Sequence, residues 1–125
     1  MSSGTLNKKI LVVDDEADTI FLISSILEPE GFEVIGADGG AECLKILESV
    51  KPDVILLDIM MPDMDGWETF HKIRSEDVDV PICIISVKSQ SFDRMLGLNV
   101  LNANDYINKP FSAEDLIGRI NAILG

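Results

Sequence analysis

Three short apolar runs break off at polar residues in the same way. Ile10-Leu11-Val12-Val13 stops at Asp14-Asp15, Val54-Ile55-Leu56-Leu57 stops at Asp58, and Ile82-Cys83-Ile84-Ile85 stops at Ser86. Uninterrupted runs of four apolar residues, rather than alternation, read as strands buried on both faces. Phe32 to Ala37 is a second, weaker strand, and Asp105-Tyr106-Ile107-Asn108 is a short fifth one before the turn at Lys109-Pro110. Between the strands the period changes to that of a helix. Ile20, Ile23, Ile26 and Leu27 mark a first helix ended by Pro29 and Gly31, and Leu44 and Leu47 mark a second that stops at Lys51-Pro52. Trp67, Phe70 and Ile73 recur at helical spacing between the Pro62 to Gly66 loop and Pro81, and a fourth helix is predicted from about Ser91 to Leu101. Ser112 caps a last helix carrying Leu116, Ile120, Ile123 and Leu124, with Glu114 and Asp115 complementing its N-terminal dipole.

Five strands separated by helices require right-handed crossovers and a parallel sheet covered on both faces, an α/β fold. Ligands of such sheets bind beyond the carboxyl ends of the strands. The three runs would therefore deliver Asp14, Asp15, Asp58 and Ser86 to one edge. Residues 1–7 are small, polar and aperiodic and read as a flexible tail, leaving 8–125 as one domain.

Composition narrows the chemistry. Ten basic and 22 acidic residues give a net charge of -12, which repels phosphate backbones and argues against direct nucleic-acid binding. Cys43 lies in a helical pattern and Cys83 in a buried run, so both read as core thiols. No stretch approaches the roughly 20 apolar residues of a membrane span, and the N-terminus lacks a signal-peptide core. The cytoplasm is the expected compartment.

Asp14, Asp15 and Asp58 would meet ionised in a partly desolvated crevice. At an effective dielectric of about 20 and roughly 5 Å, each pair repels by about 3 kcal/mol, so a bound cation is the natural remedy. Hard oxygen ligands suit Mg2+, whereas zinc would want His or Cys, and the lone His71 lies on a predicted helix far from the cluster. Lys109 after the fifth strand and Ser86 after the fourth add an ammonium and a hydroxyl, the donors that a phosphoryl group needs. Asp58 is then placed for nucleophilic attack on phosphorus. Singly, Asp15 reads equally as a helix N-cap, Lys109 as a turn residue and Ser86 as a local hydrogen-bond donor.

From Lys8 to Gly125 the chain resembles the receiver domains of two-component response regulators. The resemblance rests on Asp14-Asp15, on Asp58 within Asp58-Ile59-Met60-Met61-Pro62-Asp63-Met64-Asp65-Gly66, on Ser86, and on Asp105-Tyr106-Ile107-Asn108-Lys109-Pro110-Phe111. It implies a flavodoxin-like sheet of strand order 2-1-3-4-5, and a switch phosphorylated on Asp58 by a histidine kinase or phosphotransfer protein in the presence of Mg2+. It further implies that Asp15, Asp58 and the Met60 backbone carbonyl bind the ion directly, that Asp14 acts mainly through water, and that Lys109 pairs with the phosphoryl group. Such domains catalyse their own phosphoryl transfer and dephosphorylation and turn over no external metabolite. Ser86 and Tyr106 would move together, altering the face of helix four, strand five and helix five, which is also the expected homodimer or output-domain surface. A cis Lys109-Pro110 peptide is implied as well, at about 0.5 to 1 kcal/mol for an X-Pro bond.

The chain departs from the family pattern in places. Val87 stands where receivers usually carry Ala or Gly, which favours slower phosphorylation and is the only support for a pseudo-receiver that signals without phosphate. Met60 and Lys88, two positions beyond Asp58 and Ser86, are expected to set phosphoryl lifetime. Leu101-Asn102-Ala103-Asn104 replaces the usual Gly-Ala-rich approach to Tyr106. An aspartyl-phosphate hydrolase would need an Asp at Met60, and Gly36-Ala37-Asp38-Gly39-Gly40 is neither a dinucleotide fingerprint nor a P-loop.

Overall fold

The computed structural model describes residues 7–59, 66–76, 79–87 and 103–125. The predicted fourth helix, the loop carrying Met60, Lys88, and residues 1–6 of the predicted tail lie outside them.

The elements are β1 (Lys9–Val13), α1 (Ala17–Leu27), a 3-10 turn (Glu28–Glu30), β2 (Glu33–Ala37), α2 (Gly40–Leu47), β3 (Val54–Leu57), α3 (Gly66–Glu76), β4 (Ile82–Val87), β5 (Asp105–Lys109) and a C-terminal helix (Ala113–Leu124). All strand pairs are parallel and the order is β2-β1-β3-β4-β5, as expected. Successive strand residues face opposite sides. Leu11, Val13, Ile55, Leu57, Ile82 and Ile84 therefore pack with Phe70 and Ile73 of α3 and Cys43 of α2. Ile10, Val12, Val54, Leu56, Cys83 and Ile85 pack on the other face with Ile23 and Leu27 of α1 and with Leu116 and Ile120 of the C-terminal helix. Every one of these side chains is buried, each contributing about 1.5 to 3 kcal/mol if large and aliphatic. Both cysteines are buried and free, as the sequence suggested.

Local signals explain the ends of elements. Gly31 adopts φ 95° where the chain leaves the 3-10 turn, a left-handed conformation that glycine takes without steric penalty. Ser112 caps the C-terminal helix by accepting the Asp115 N–H at 3.0 Å. The N-cap of α1 is Glu16, with no side-chain bond, so the reading of Asp15 as that cap is not borne out. β4 and β5 each run past their predicted ends. Ser86 pairs with Asn108 and Val87 with Lys109, because a ladder joins backbone groups and continues under polar side chains. Among the described residues no helix is long and apolar enough to cross a membrane.

Candidate functional site

Register sets the site. Val13 of β1 lies opposite Leu57 of β3, so the next residues, Asp14 and Asp58, leave the sheet side by side. Their backbones are held too: the Asp14 N–H donates to the Ala37 carbonyl and the Asp58 N–H to the Val13 carbonyl, both at 3.0 Å. β4 flanks β3 on its other side and brings Ser86 in, whose hydroxyl donates to Asp58 Oδ1 at 3.0 Å. β5 supplies Lys109 from its last position. Its ammonium donates to Asp14 Oδ2 at 2.6 Å and to Asp58 Oδ2 at 3.0 Å. The Lys109-Pro110 peptide is cis, as the family resemblance implied.

Asp14 and Ser86 are 0% exposed and Asp58 5%, while Asp15 is open to solvent. Oxygens of Asp14, Asp15 and Asp58 all lie within 4.8 Å of one another. Three carboxylates against one ammonium leave a local excess of two negative charges. Burial pushes the Asp14 carboxyl above its ordinary value, and hydrogen bonds from Lys109 and from the Glu16 N–H pull it back without cancelling that effect. Burial also pulls the Lys109 ammonium down, but its bonds to Asp14 and Asp58 outweigh it and hold it above the usual lysine value.

The donor set fits a hard divalent cation: converging carboxylate oxygens, no His or Cys among them, and a matching charge excess. The remaining polar contacts serve oxygen anions, since a lysine ammonium and a serine hydroxyl both reach the Asp58 oxygens.

The predicted residues Asp14, Asp15, Asp58, Ser86 and Lys109 thus meet in one place. Tyr106 lies on β5 opposite Ile84, half-buried against the core beneath α2 and α3. The Val87 backbone pairs with Lys109, while the Met60 carbonyl and Lys88 fall outside the described residues. His71 is exposed on α3, as expected of a surface residue. One contributor escaped the sequence reading. Glu16 places its N–H 2.9 Å from Asp14 Oδ1 and its carboxylate 4.0 Å from Lys109 Nζ. Its position directly after Asp14-Asp15 was the only available signal.

The pattern of the response regulator receiver domain matches residues 10–121. The chain is 45% identical over 119 residues to the alkaline phosphatase synthesis transcriptional regulatory protein PhoP of Bacillus subtilis, covering 95% of this chain and 49% of that protein. It is 40% identical over 124 residues to the transcriptional regulatory protein PrrA of Mycobacterium tuberculosis, covering 99% of this chain and 53% of PrrA. The chain therefore spans about half the length of these curated relatives. Among solved structures, the Vibrio cholerae chemotaxis protein CheY4 superposes with a TM-score of 0.85 at 28% identity, covering 94% of this chain and 99% of that one. A CheY-like receiver domain protein from Methanospirillum hungatei gives 0.85 at 31%, with 94% of each chain covered. A doubly wound sheet with an acidic crevice at its carboxyl edge, matched to the family over nearly its whole length, makes this chain a member of the response regulator receiver domains, phosphorylation-dependent switches of two-component signalling.

Proposed function

We propose that Asp58 is the phosphoacceptor of this switch. The observation that carries the reading is the dressing of one buried carboxylate by Ser86 on Oδ1 and Lys109 on Oδ2, beside two further aspartates. An Asp58 oxygen forms a bond to phosphorus as the phosphorus–nitrogen bond of a donor phosphohistidine breaks, its electron pair staying with the imidazole. Lys109 and Ser86 already point their donors at the Asp58 oxygens and offer them to the incoming phosphoryl oxygens. Asp14, Asp15 and Asp58, with the Met60 carbonyl, would hold Mg2+, which when bound neutralises charge between carboxylates and phosphoryl group. Asp14 holds Lys109 in place, and its burial keeps water from that ion pair.

Self-catalysed phosphoryl transfer and slow dephosphorylation follow from the same groups, with Met60, Val87 and Lys88 setting the lifetime. Ser86, drawn toward the phosphoryl group, releases Tyr106 to move and re-forms the face of strand five, the C-terminal helix and the fourth helix predicted from the sequence. We read the donor as a histidine kinase or phosphotransfer protein, the compartment as the cytoplasm, and the output, passed through that face to an output domain or a second copy, as transcriptional control. The names of the relatives support that output. The full set of donors around Asp58 leaves the pseudo-receiver alternative without structural support.

Incubation with acetyl phosphate and Mg2+ is expected to add one phosphate by intact mass, and Asp58→Asn is expected to add none. An unmodified wild-type chain, or equal modification of the variant, would sink the assignment.

A further inference from the structure

A second concavity lies at the other end of the sheet. α2 is only eight residues long, and after Leu47 the chain turns back through residues 48–52 into β3, leaving a cleft of about 400 Å3 between the last turns of α2 and α3. Buried Pro52, Ile73 and Val80 line its floor, and half-buried Leu44, Leu47 and Val50 its sides. Pro52 and Val80 stand two residues before the first residues of β3 and β4, so the cleft sits at the opposite edge of the sheet from Asp58.

The rim is charged in a defined sense. Glu48 and Glu76 both line the mouth, and two helices end there with the negative ends of their dipoles. Among the described lining residues Lys51 is the single cation. An apolar hollow within the roughly 300 to 1,000 Å3 range of small-molecule sites, under a rim with excess negative charge, selects a ligand with a greasy body and a cationic head. We propose that this cleft binds a small amphipathic amine, its apolar part against Leu47, Ile73 and Val80 and its ammonium between Glu48 and Glu76. The site is independent of the phosphoacceptor assignment and leaves the aspartate crevice open.

The test titrates the 125-residue chain with phenethylamine, 2-phenylethanol and phenylacetate, followed by amide NMR shifts. Phenethylamine is expected to give saturable shifts at residues 44–52, 73–76 and 79–80 at millimolar concentration, with the alcohol weaker and the carboxylate weaker still. Glu48→Gln with Glu76→Gln, both on exposed side chains that leave the fold intact, should weaken the amine by roughly threefold to tenfold, as two exposed ion pairs allow. Lys51→Gln should tighten it. Tighter binding of phenylacetate than of phenethylamine would overturn the proposal. So would amine shifts that fail to saturate, or that gather at Asp14 and Asp58 instead.

Discussion

Replacing Lys109 by Met tests whether this ammonium is what allows buried carboxylates to coexist. The wild-type contacts are 2.6 Å to Asp14 and 3.0 Å to Asp58. At an effective dielectric of about 20 these attractions are worth roughly 6 and 5 to 6 kcal/mol before solvation is counted. Taking the lysine out of water cancels several kcal/mol of that. What the variant leaves is Asp14, 0% exposed, facing Asp58 within 4.8 Å, a repulsion of about 3 kcal/mol with no counter-charge. The expected loss in metal-free buffer at pH 8 is about 3 to 5 kcal/mol, the usual range for breaking a buried pair on one side.

The loss is expected to depend on pH. Asp14 already titrates above 3.8, so the unfolded chain gives up that proton first and stability falls as pH rises from 3.8 through the folded value. Without Lys109 to pull it down, Asp14 rises further, and protonating it as the pH falls relieves the variant. Lys109, held above 10.5, contributes fully below 10.5 and is lost as pH climbs through its folded value, so it is constant between pH 8 and pH 5 and the wild-type gain, from Asp14 alone, is the smaller one. Urea unfolding in EDTA should therefore show a gap between the proteins that narrows from pH 8 to pH 5. Asp14→Asn added to Lys109→Met should recover much of the loss. A gap unchanged by pH, or a double variant no better than the single one, would refute the reasoning.

Further outcomes follow from other parts of the molecule. A Cβ on Gly66 would run into the Ile59 backbone, so Gly66→Ala must displace backbone and is expected to cost more than about 3 kcal/mol in urea unfolding, whereas Gly118→Ala, inside the C-terminal helix and facing open space, should stabilise by up to about 1 kcal/mol. Burial pushes the Cys43 and Cys83 thiols from 9.0 up to about 12. Unfolded thiols ionise first, so stability falls between those values, by about 1 kcal/mol per cysteine at pH 10, and the fall should be shallower in the Cys43→Ala, Cys83→Ala chain. Ser112→Ala removes the acceptor for the Asp115 N–H and should lower stability by about 1 kcal/mol, measured the same way.

The strands were legible where burial on both faces forces uninterrupted apolar residues, as in Ile10 to Val13 and Val54 to Leu57, all 0% exposed. They were not legible at their ends. Ser86 and Val87 extend β4, and Lys109 extends β5, because the two strands supply backbone partners for each other. No side-chain pattern encodes that. Glu16 was missed for a related reason: its chief contact with Asp14 is made by a backbone N–H, which every residue but proline carries. Phe21 and Leu22 lie exposed on α1 beside buried Ile23, so hydrophobicity alone did not fix which side of that helix faces the sheet. The spacing of Ile20, Ile23 and Leu27 did.

The site was legible because a charge at the end of a buried strand is costly and must be matched by something equally improbable. Lys109 stands 51 residues from Asp58 and 95 from Asp14, yet one ammonium bridges both, which only the parallel order of β1, β3, β4 and β5 permits. That sharing has a consequence for the switch. A phosphoryl group on Asp58, the acceptor proposed above, would add roughly one further negative charge and three acceptor oxygens. Lys109 would then have a stronger partner than Asp14 on the other side of its bridge, and Ser86 a stronger one than Asp58 Oδ1. Both donors sit on β4 and β5, directly linked by the Ser86 to Asn108 and Val87 to Lys109 pairs, so any shift toward the phosphoryl group pulls on the strand that carries Tyr106. The same contacts that make three carboxylates tolerable in the resting site would give one phosphorylated on Asp58 its mechanical handle.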